Sequence, residues 1–194
     1  MTTTHDRGTA RPDPRVAHTR EVVRRAALSE LAAVGWGDLT IEGVAARCGV
    51  AKSTIYRHWR GKAALVADAI DERSAQPDPK VGGGTAREQV GVLLRHLADA
   101  MHDPELSPIV PALVDAAERD PAIAELFHRH NDQRRQRLAD VLRSGIEVGE
   151  LPTHLDPAVA AAALAGAVVY RRLMPAEPFG DDVEGLVTAV LGPP

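Results

Sequence analysis

The side chains whose types and spacing most clearly indicate a chemical function lie in residues 40–62. Six side chains within residues 52–58 carry ammonium, hydroxyl, phenol, guanidinium or imidazole groups, which donate hydrogen bonds to phosphates and to base edges. Ile55 and Trp59 are four residues apart and therefore share one face of a helix. The polar residues are left to the other faces of the same short helix, and they are Lys52, Ser53, Thr54, Tyr56, Arg57 and His58.

A helix-turn-helix is the element that would present these groups to the major groove of DNA. It needs a small residue where its helices touch, glycine at the turn and an apolar residue that locks the second helix, and Ala45, Gly49 and Ile55 meet these needs. The segment predicts helices over residues 41–48 and 52–59. Thr40 and Lys62 are predicted to hold phosphates. A helical hairpin with a solvated polar face is the alternative.

The distribution of charge agrees with a polyanion-binding N-terminal part. The net charge is −4, but residues 1–62 carry 11 Lys and Arg against 6 Asp and Glu, whereas the rest carries 12 against 21. A basic head on an acidic body is typical of a protein whose head binds nucleic acid. The same asymmetry would also arise by chance in an Arg-rich composition.

The whole chain predicts an all-α fold of about nine helices, because apolar residues recur at helical spacing and no segment alternates like a strand. We expect a flexible arm at 1–13, a three-helix DNA-binding domain at 14–61 and a helical body at 62–194. Helix signals include a capping box at Thr85 and Glu88 and an N-cap followed by proline at Asp156. The helices are predicted near residues 14–34, 41–48, 52–59, 62–73, 86–101, 109–118, 121–149, 157–173 and from about 181.

The segment LTIEGVAARCGVAKSTIYRHWRGKAALVADAI resembles the DNA-binding head of tetracycline-repressor-type (TetR family) regulators. The resemblance covers about residues 15–70 and extends more weakly into the body, through AERDPAIAELF and GELPTHLDP. It implies a homodimer that reads a palindromic operator and releases it when the body binds a small molecule. The DNA contacts it implies fall on Thr40, Lys52, Ser53, Thr54, Tyr56, Arg57, His58 and Lys62.

Two positions depart from the family pattern. Cys48 stands where alanine is usual beside the turn glycine, and Glu30 stands where leucine is usual in the first helix. Cys48 is interpreted as a small buried hydrophobe, with a redox-sensing thiol as the alternative.

The body offers a predicted dimer surface and a predicted ligand pocket. The run at 157–170 is apolar around the whole helix and needs cover on every side, either from a second copy or from the core of a monomer. We expect the dimer interface to include Ala162, Gly166, Val169 and Val187. Polar residues interrupt the inner stripe of the long helix, as in ligand pockets, although they could instead face solvent. The expected pocket residues are Leu97, Met101, Leu113, Phe127, His130, Asn131, Arg134 and Tyr170.

The sequence predicts neither an enzyme nor a metal or cofactor site, because no catalytic or metal-ligating constellation assembles. The longest charge-free apolar run has 14 residues, fewer than the roughly 20 that a bilayer span requires. We therefore expect a cytoplasmic regulator with operator DNA, a small-molecule effector and a second copy as partners. A constitutive DNA-binding protein whose body only dimerises is the alternative function.

Overall fold

The computed structural model describes residues 14–74, 79, 81–174 and 182–193. Within these residues the chain forms nine α-helices and no strand, which confirms the all-α prediction. The predicted arm at 1–13 lies outside the described residues. The helices are α1 (Pro14–Asp38), α2 (Ile41–Cys48), α3 (Lys52–His58), α4 (Lys62–Ser74), α5 (Ala86–His102), α6 (Ile109–Arg119), α7 (Pro121–Glu147), α8 (Pro157–Leu173) and α9 (Val183–Leu191).

Local capping residues set most of these bounds. The Thr40 hydroxyl accepts a hydrogen bond from the Gly43 N–H at 3.0 Å and begins α2, and Gly49 ends it with φ of 70°, where glycine is favoured. Thr85 and Glu88 form the predicted capping box at the start of α5. Asp156 accepts from two backbone N–H groups at the start of α8.

The end of α1 contains the predicted break. The sequence predicts that Gly35 and Gly37 end the helix, and the backbone leaves helical geometry at Gly35, with φ of 73° and ψ of 174°. A short helical segment then continues beyond this kink as far as Asp38. Trp36, which lies in that segment, is buried.

Two hydrophobic cores hold the helices together. The first joins α1–α4 to α6 and to the start of α7, through residues such as Leu31, Ile55 and Ile123. It therefore crosses the predicted boundary between residues 61 and 62, and it fixes the head against the body. The division into domains at that boundary stays a prediction.

The second core lies within the body. It joins α5, the second half of α7, α8 and α9, with Leu94, Leu142 and Leu164 fully buried. Gly145 allows α7 to approach α5 closely, since a Cβ there would lie 2.5 Å from the Ala86 Cβ. None of the helices in the described ranges is both long and apolar enough to span a bilayer.

Candidate nucleic-acid interface

The second helix of the helix-turn-helix, α3, is held by one face only. Ile55 is fully buried, and Trp59, which follows the last residue of α3, is also buried in the first core. Val44 of α2 lies in the same core, with Ala45 and Val50 partly buried against it. The inward pair predicted from the spacing of Ile55 and Trp59 is therefore confirmed.

The rest of α3 is open to solvent. Tyr56 has 52% of its surface exposed, which is unusual for a large aromatic residue. Five of the predicted DNA-contacting residues on α3 are exposed and Thr54 is half-buried. The exposed five are Lys52, Ser53, Tyr56, Arg57 and His58. The helix thus offers donors of several chemical types from one rigid element.

The exposed cations of this surface make weak contacts within the chain. The Lys52 ammonium lies 3.2 Å from the Glu42 carboxylate, and Arg57 donates to the Thr54 hydroxyl at 3.5 Å. The backbone N–H of Glu42 and the Lys52 side chain together lower the pKa of the Glu42 carboxyl. Exposed pairs of this kind cost little to break, so both cations can turn to a phosphate or a base.

The two predicted phosphate contacts differ in their present roles. Thr40 is exposed, and its hydroxyl caps α2 next to the backbone N–H groups at that helix N-terminus. Lys62 is half-buried: its ammonium donates to the Trp36 carbonyl at 2.7 Å and lies 4.7 Å from the centre of the Trp36 ring. Lys62 therefore also holds the kinked end of α1 in place.

A carboxylate that sequence reasoning missed positions the end of α3. Asp68 of α4 accepts from the Trp59 indole N–H at 2.8 Å, from Arg24 at 2.7 Å and from Arg20 at 3.3 Å. Burial raises the pKa of Asp68, but the Arg24 and Trp59 hydrogen bonds and the two guanidinium charges outweigh that effect and lower it overall. The only sequence signal for this contact is that Asp68 lies three residues after Leu65, which is buried.

A second missed contact joins α1 to α2. The Arg47 guanidinium donates to the Glu30 carboxylate at 2.6 Å, and only 15% of the Glu30 side chain is exposed. Gly43 lies directly beneath that carboxylate, since a Cβ there would be 2.6 Å from Glu30 Oε1. Glu30, noted above as a departure from the family pattern, is therefore satisfied by a partner on α2. Cys48 is half-buried, with its Sγ 3.8 Å from the Ala45 carbonyl.

Comparison with known proteins agrees with this geometry. The profile of the bacterial regulatory proteins of the tetR family matches residues 23–69, and that of the tetracyclin repressor-like C-terminal domain matches residues 82–190. This chain belongs to the TetR family. It is a transcriptional regulator with a DNA-binding helix-turn-helix, as the sequence predicted.

Individual TetR-type relatives cover nearly the whole chain. The HTH-type transcriptional regulator YdeS of Bacillus subtilis is 28% identical over 169 residues, which cover 87% of this chain and 85% of YdeS. The solved TetR family regulator SCO0332 is 33% identical, covers 89% of this chain and 96% of its own, and superposes with a TM-score of 0.59. FadR of Bacillus subtilis, solved with stearoyl-CoA, shares the fold at 16% identity, with a TM-score of 0.75 and coverage of 88% and 97%.

The predicted pocket residues of this TetR-family body do not form a single cluster. Met101 is buried and Leu97 half-buried in the second core, whereas Leu113 packs against the first. Phe127 and His130 are half-buried on α7, and Asn131 and Arg134 are exposed. The His130 Nδ1 donates a hydrogen bond to the Leu126 carbonyl at 2.8 Å, and its Nε2 lies 3.4 Å from Asp71.

Tyr170 lies on the outward side of α8. It is 61% exposed, on the same stripe as Val159 and Gly166, and it points away from the buried side formed by Leu164 and Val168. The prediction had placed it beside the α7 residues. Because α8 carries an apolar residue on every side, its periodicity could not tell the inward face from the outward one.

The predicted dimer residues divide in the same way. Ala162 and Gly166 are exposed on α8, and Val169 is half-buried. Val187 is only 6% exposed and belongs to the second core of its own chain, so it is not part of the exposed stripe. On α9 the residues left partly accessible are Leu186 and Val190.

Proposed function

We propose that this regulator binds a palindromic operator as a homodimer, through α3, and that a small-molecule effector releases it. The observation that carries the proposal is the exposure of α3: one buried residue, Ile55, fixes a helix whose other side chains are exposed, apart from half-buried Thr54. A helix of seven residues gains little stability from so small a buried face. A role in contacting base pairs explains why α3 exposes these hydrogen-bond donors.

In this proposal α3 lies in the major groove and α2 crosses the backbone, which is the usual arrangement of a helix-turn-helix. Arg57 has the planar fork that binds guanine O6 and N7, and Tyr56 offers a ring and a hydroxyl to neighbouring bases. Thr40 and the N-terminus of α2 hold a phosphate, and Lys62 contributes a second positive charge beside it. In the head, α3 therefore makes the base contacts, whereas Thr40, the N-terminus of α2 and Lys62 make the phosphate contacts that position it.

A second copy of the chain would cover the outward stripe of α8. The stripe contains Val159, Ala162, Gly166 and Tyr170, and the exposed fractions of Val159 and Tyr170 are 65% and 61%. Small residues allow two such helices to approach closely, and α9 would complete a four-helix contact through Leu186 and Val190. A two-fold dimer places its two heads over two half-sites of a palindrome.

The body supports an effector role through the middle of α7. Between Leu126 and Leu138 every residue of the helix is exposed or half-buried, and the two cores end on either side of this gap. Within this gap His130 is half-buried and Arg134 is exposed. Polar groups beside apolar walls orient a bound ligand. The neighbour FadR was solved with stearoyl-CoA, which agrees with a small-molecule effector here.

The decisive experiment compares two arginine variants on duplexes from the region upstream of the chain's own gene. Arg57→Ala removes a proposed base contact, and Arg135→Ala removes an equally exposed arginine on α7 as the matched control. By fluorescence anisotropy we expect Arg57→Ala to weaken specific binding by about 1–3 kcal/mol, roughly 5- to 150-fold. Arg135→Ala should bind like the wild type. Equal affinities for the wild type and Arg57→Ala would contradict the role of α3.

A further inference from the structure

A pocket of about 420 Å³ lies where the head meets the body, away from the α7 residues discussed above. One wall is the middle of α1, and the opposite wall is the connection between α5 and α6 with the first residue of α6. Its volume falls in the range of about 300–1,000 Å³ that is typical of small-molecule sites. It is lined by Arg25, Leu28, Ser29, Ala32, Ala33, Arg73, Pro104, Glu105, Pro108 and Ile109.

The inner surface of this junction pocket is apolar. Leu28 and Ile109 are buried in the first core and form its floor, and Ala32 and Ala33 leave room along α1 because their side chains are small. Pro104 and Pro108 add two rings on the opposite side. Such a surface suits a flat or compact apolar group.

The rim of the junction pocket carries two arginines and one carboxylate. Arg73 lies 4.0 Å from an oxygen of Glu105, and Arg25 pairs with Glu21 at 2.7 Å in an exposed ion pair that costs little to break. The Nε atom of Arg73 is enclosed and has no hydrogen-bond partner among the described residues. A guanidinium held this loosely retains donors for a carboxylate, which it binds through two parallel hydrogen bonds.

The two walls of the pocket belong to different parts of the molecule. Asp103 shapes the α5–α6 connection by accepting from the backbone N–H groups of Glu105 and Leu106 at 2.7 and 3.0 Å. Arg172 of α8 donates to the carbonyl of Ser107 and thereby ties this connection to the body. The other wall, α1, packs directly against α2 and α4 in the head. An occupant would therefore touch both the head and an anchored segment of the body.

We infer that the junction pocket is a regulatory site for a small amphipathic anion, an aromatic group bearing one carboxylate. The aromatic part lies between α1 and the two prolines, and the carboxylate accepts from Arg73 and Arg25. Occupancy changes the spacing between α1 and α6 and so changes operator affinity. This last step depends on the proposed DNA-binding function, whereas the binding step does not.

The binding step is tested with the full chain by calorimetric titration of benzoate, 1-naphthoate and 4-phenylbenzoate, with uncharged 1-naphthamide as the matched neutral probe. We expect one of the carboxylates to bind once per chain, and 1-naphthamide to bind at least about tenfold more weakly than 1-naphthoate. Arg73→Gln should lower the affinity about tenfold, and Ala33→Trp should abolish binding by filling the pocket. Arg143→Gln, which changes an exposed arginine of α7 outside the pocket lining, should bind like the wild type.

Circular dichroism of each variant checks that it is folded. The inference is overturned if no carboxylate binds, if the amide binds as well as the acid, or if Arg73→Gln and Ala33→Trp both retain wild-type affinity. Operator titrations with saturating carboxylate then test the regulatory step: the wild type should shift its operator affinity at least about fivefold and Ala33→Trp should not. An unchanged wild type overturns regulation, whereas a ligand-free protein that fails to bind DNA contradicts the proposed function instead.

Discussion

At the scale of single residues, Asp68 anchors Trp59, the residue that directly follows α3. Its carboxylate receives hydrogen bonds from Trp59, which follows α3, and from Arg24 of α1, and Arg20 lies 3.3 Å away. One side chain of α4 thereby fixes the position of the C-terminal end of α3 relative to α1 and α4. These bonds lower the pKa of Asp68 despite its burial, so the ionised form is the one that the folded state stabilises.

The pH dependence of stability follows from that direction. A carboxyl whose folded pKa is depressed stabilises the protein at a pH above its unfolded value and loses this contribution as the pH falls through the folded value. We therefore expect Asp68→Asn to reduce the free energy of unfolding at pH 7 by about 1–3 kcal/mol. Urea denaturation should show the difference from wild type shrinking as the pH falls below the usual range of aspartate.

The matched control for this change is Asp132→Asn, which removes an exposed carboxylate paired with Arg135 on α7. It should alter stability far less, since exposed ion pairs contribute little. If the difference between Asp68→Asn and the wild type stayed constant from neutral to acidic pH, the ionised carboxylate would not be the stabilising species.

The sequence predicted the residues of the DNA-binding surface better than the contacts that support them. Ile55 and Trp59 were assigned inward because helical spacing alone decides which face they share. The contacts of Asp68 and Glu30 join helices that are distant along the chain, and no local pattern encodes such pairs. Tyr170 was misplaced for a related reason, because its helix has no polar side to mark the solvent.

At the scale of elements, the contact between α1 and α2 is a carboxylate lying over a glycine. Glu30 binds Arg47 at 2.6 Å, and a Cβ at residue 43 would lie 2.6 Å from the Glu30 Oε1, so the carboxylate would have to shift. Glycine in a helix costs about 0.5–1 kcal/mol relative to alanine. The ion pair and the glycine are therefore expected to be coupled energetically.

A double-mutant cycle measures this coupling. In the Glu30→Ala background, Gly43→Ala should stabilise the protein by about 0.5–1 kcal/mol, because alanine is the better helix former. In the wild type the same change should bring no gain, since the new Cβ displaces the carboxylate from Arg47. Thermal or urea unfolding of the four proteins provides the comparison, and an identical gain in both backgrounds would refute the coupling.

Helix bounds were predictable where a side chain caps the backbone. Thr40, Thr85 and Asp156 each marked a helix start that the structure has within one residue. The helical segment beyond Gly35 was not predictable in the same way, because a glycine can either end a helix or only kink it. Burial of Trp36 in the first core decides between them, and that contact is tertiary.

At the scale of the whole molecule, the outward stripe of α8 is the surface that a second copy would cover. Gly166 lies on it, and a Cβ added there would meet nothing within 4 Å in the same chain. Gly166→Leu should therefore leave the monomer unstrained but would separate the two α8 helices of the proposed dimer. We expect sedimentation equilibrium to show a dimer weakened at least about tenfold, with unchanged helical content.

Ala122→Leu serves as the control for the dimer, since it enlarges an equally exposed small residue at the start of α7. Its self-association should match that of the wild type. A Gly166→Leu protein that remains as dimeric as the wild type would place the interface elsewhere. Because a palindromic operator needs two heads, the monomeric variant should also lose operator affinity.

The arrangement of the two cores was the least predictable feature at this scale. Composition and charge separated a basic head from an acidic body, but the first core continues from α1–α4 into α6 and α7. Side chains from six helices meet there, and periodicity describes only one helix at a time. The junction pocket lies where the head meets the body. Its lining residues come from distant parts of the chain, so sequence patterns could not group them.

The central claim, that α3 reads the major groove, is tested most directly by methylation interference on the bound duplex. Dimethyl sulfate marks guanine N7 in the major groove and adenine N3 in the minor groove, so one experiment reports on both. We predict that guanine methylation blocks binding in two half-sites about one helical turn apart, and that Arg57→Ala loses this sensitivity. Interference confined to adenines, or absent from both half-sites, would contradict the account.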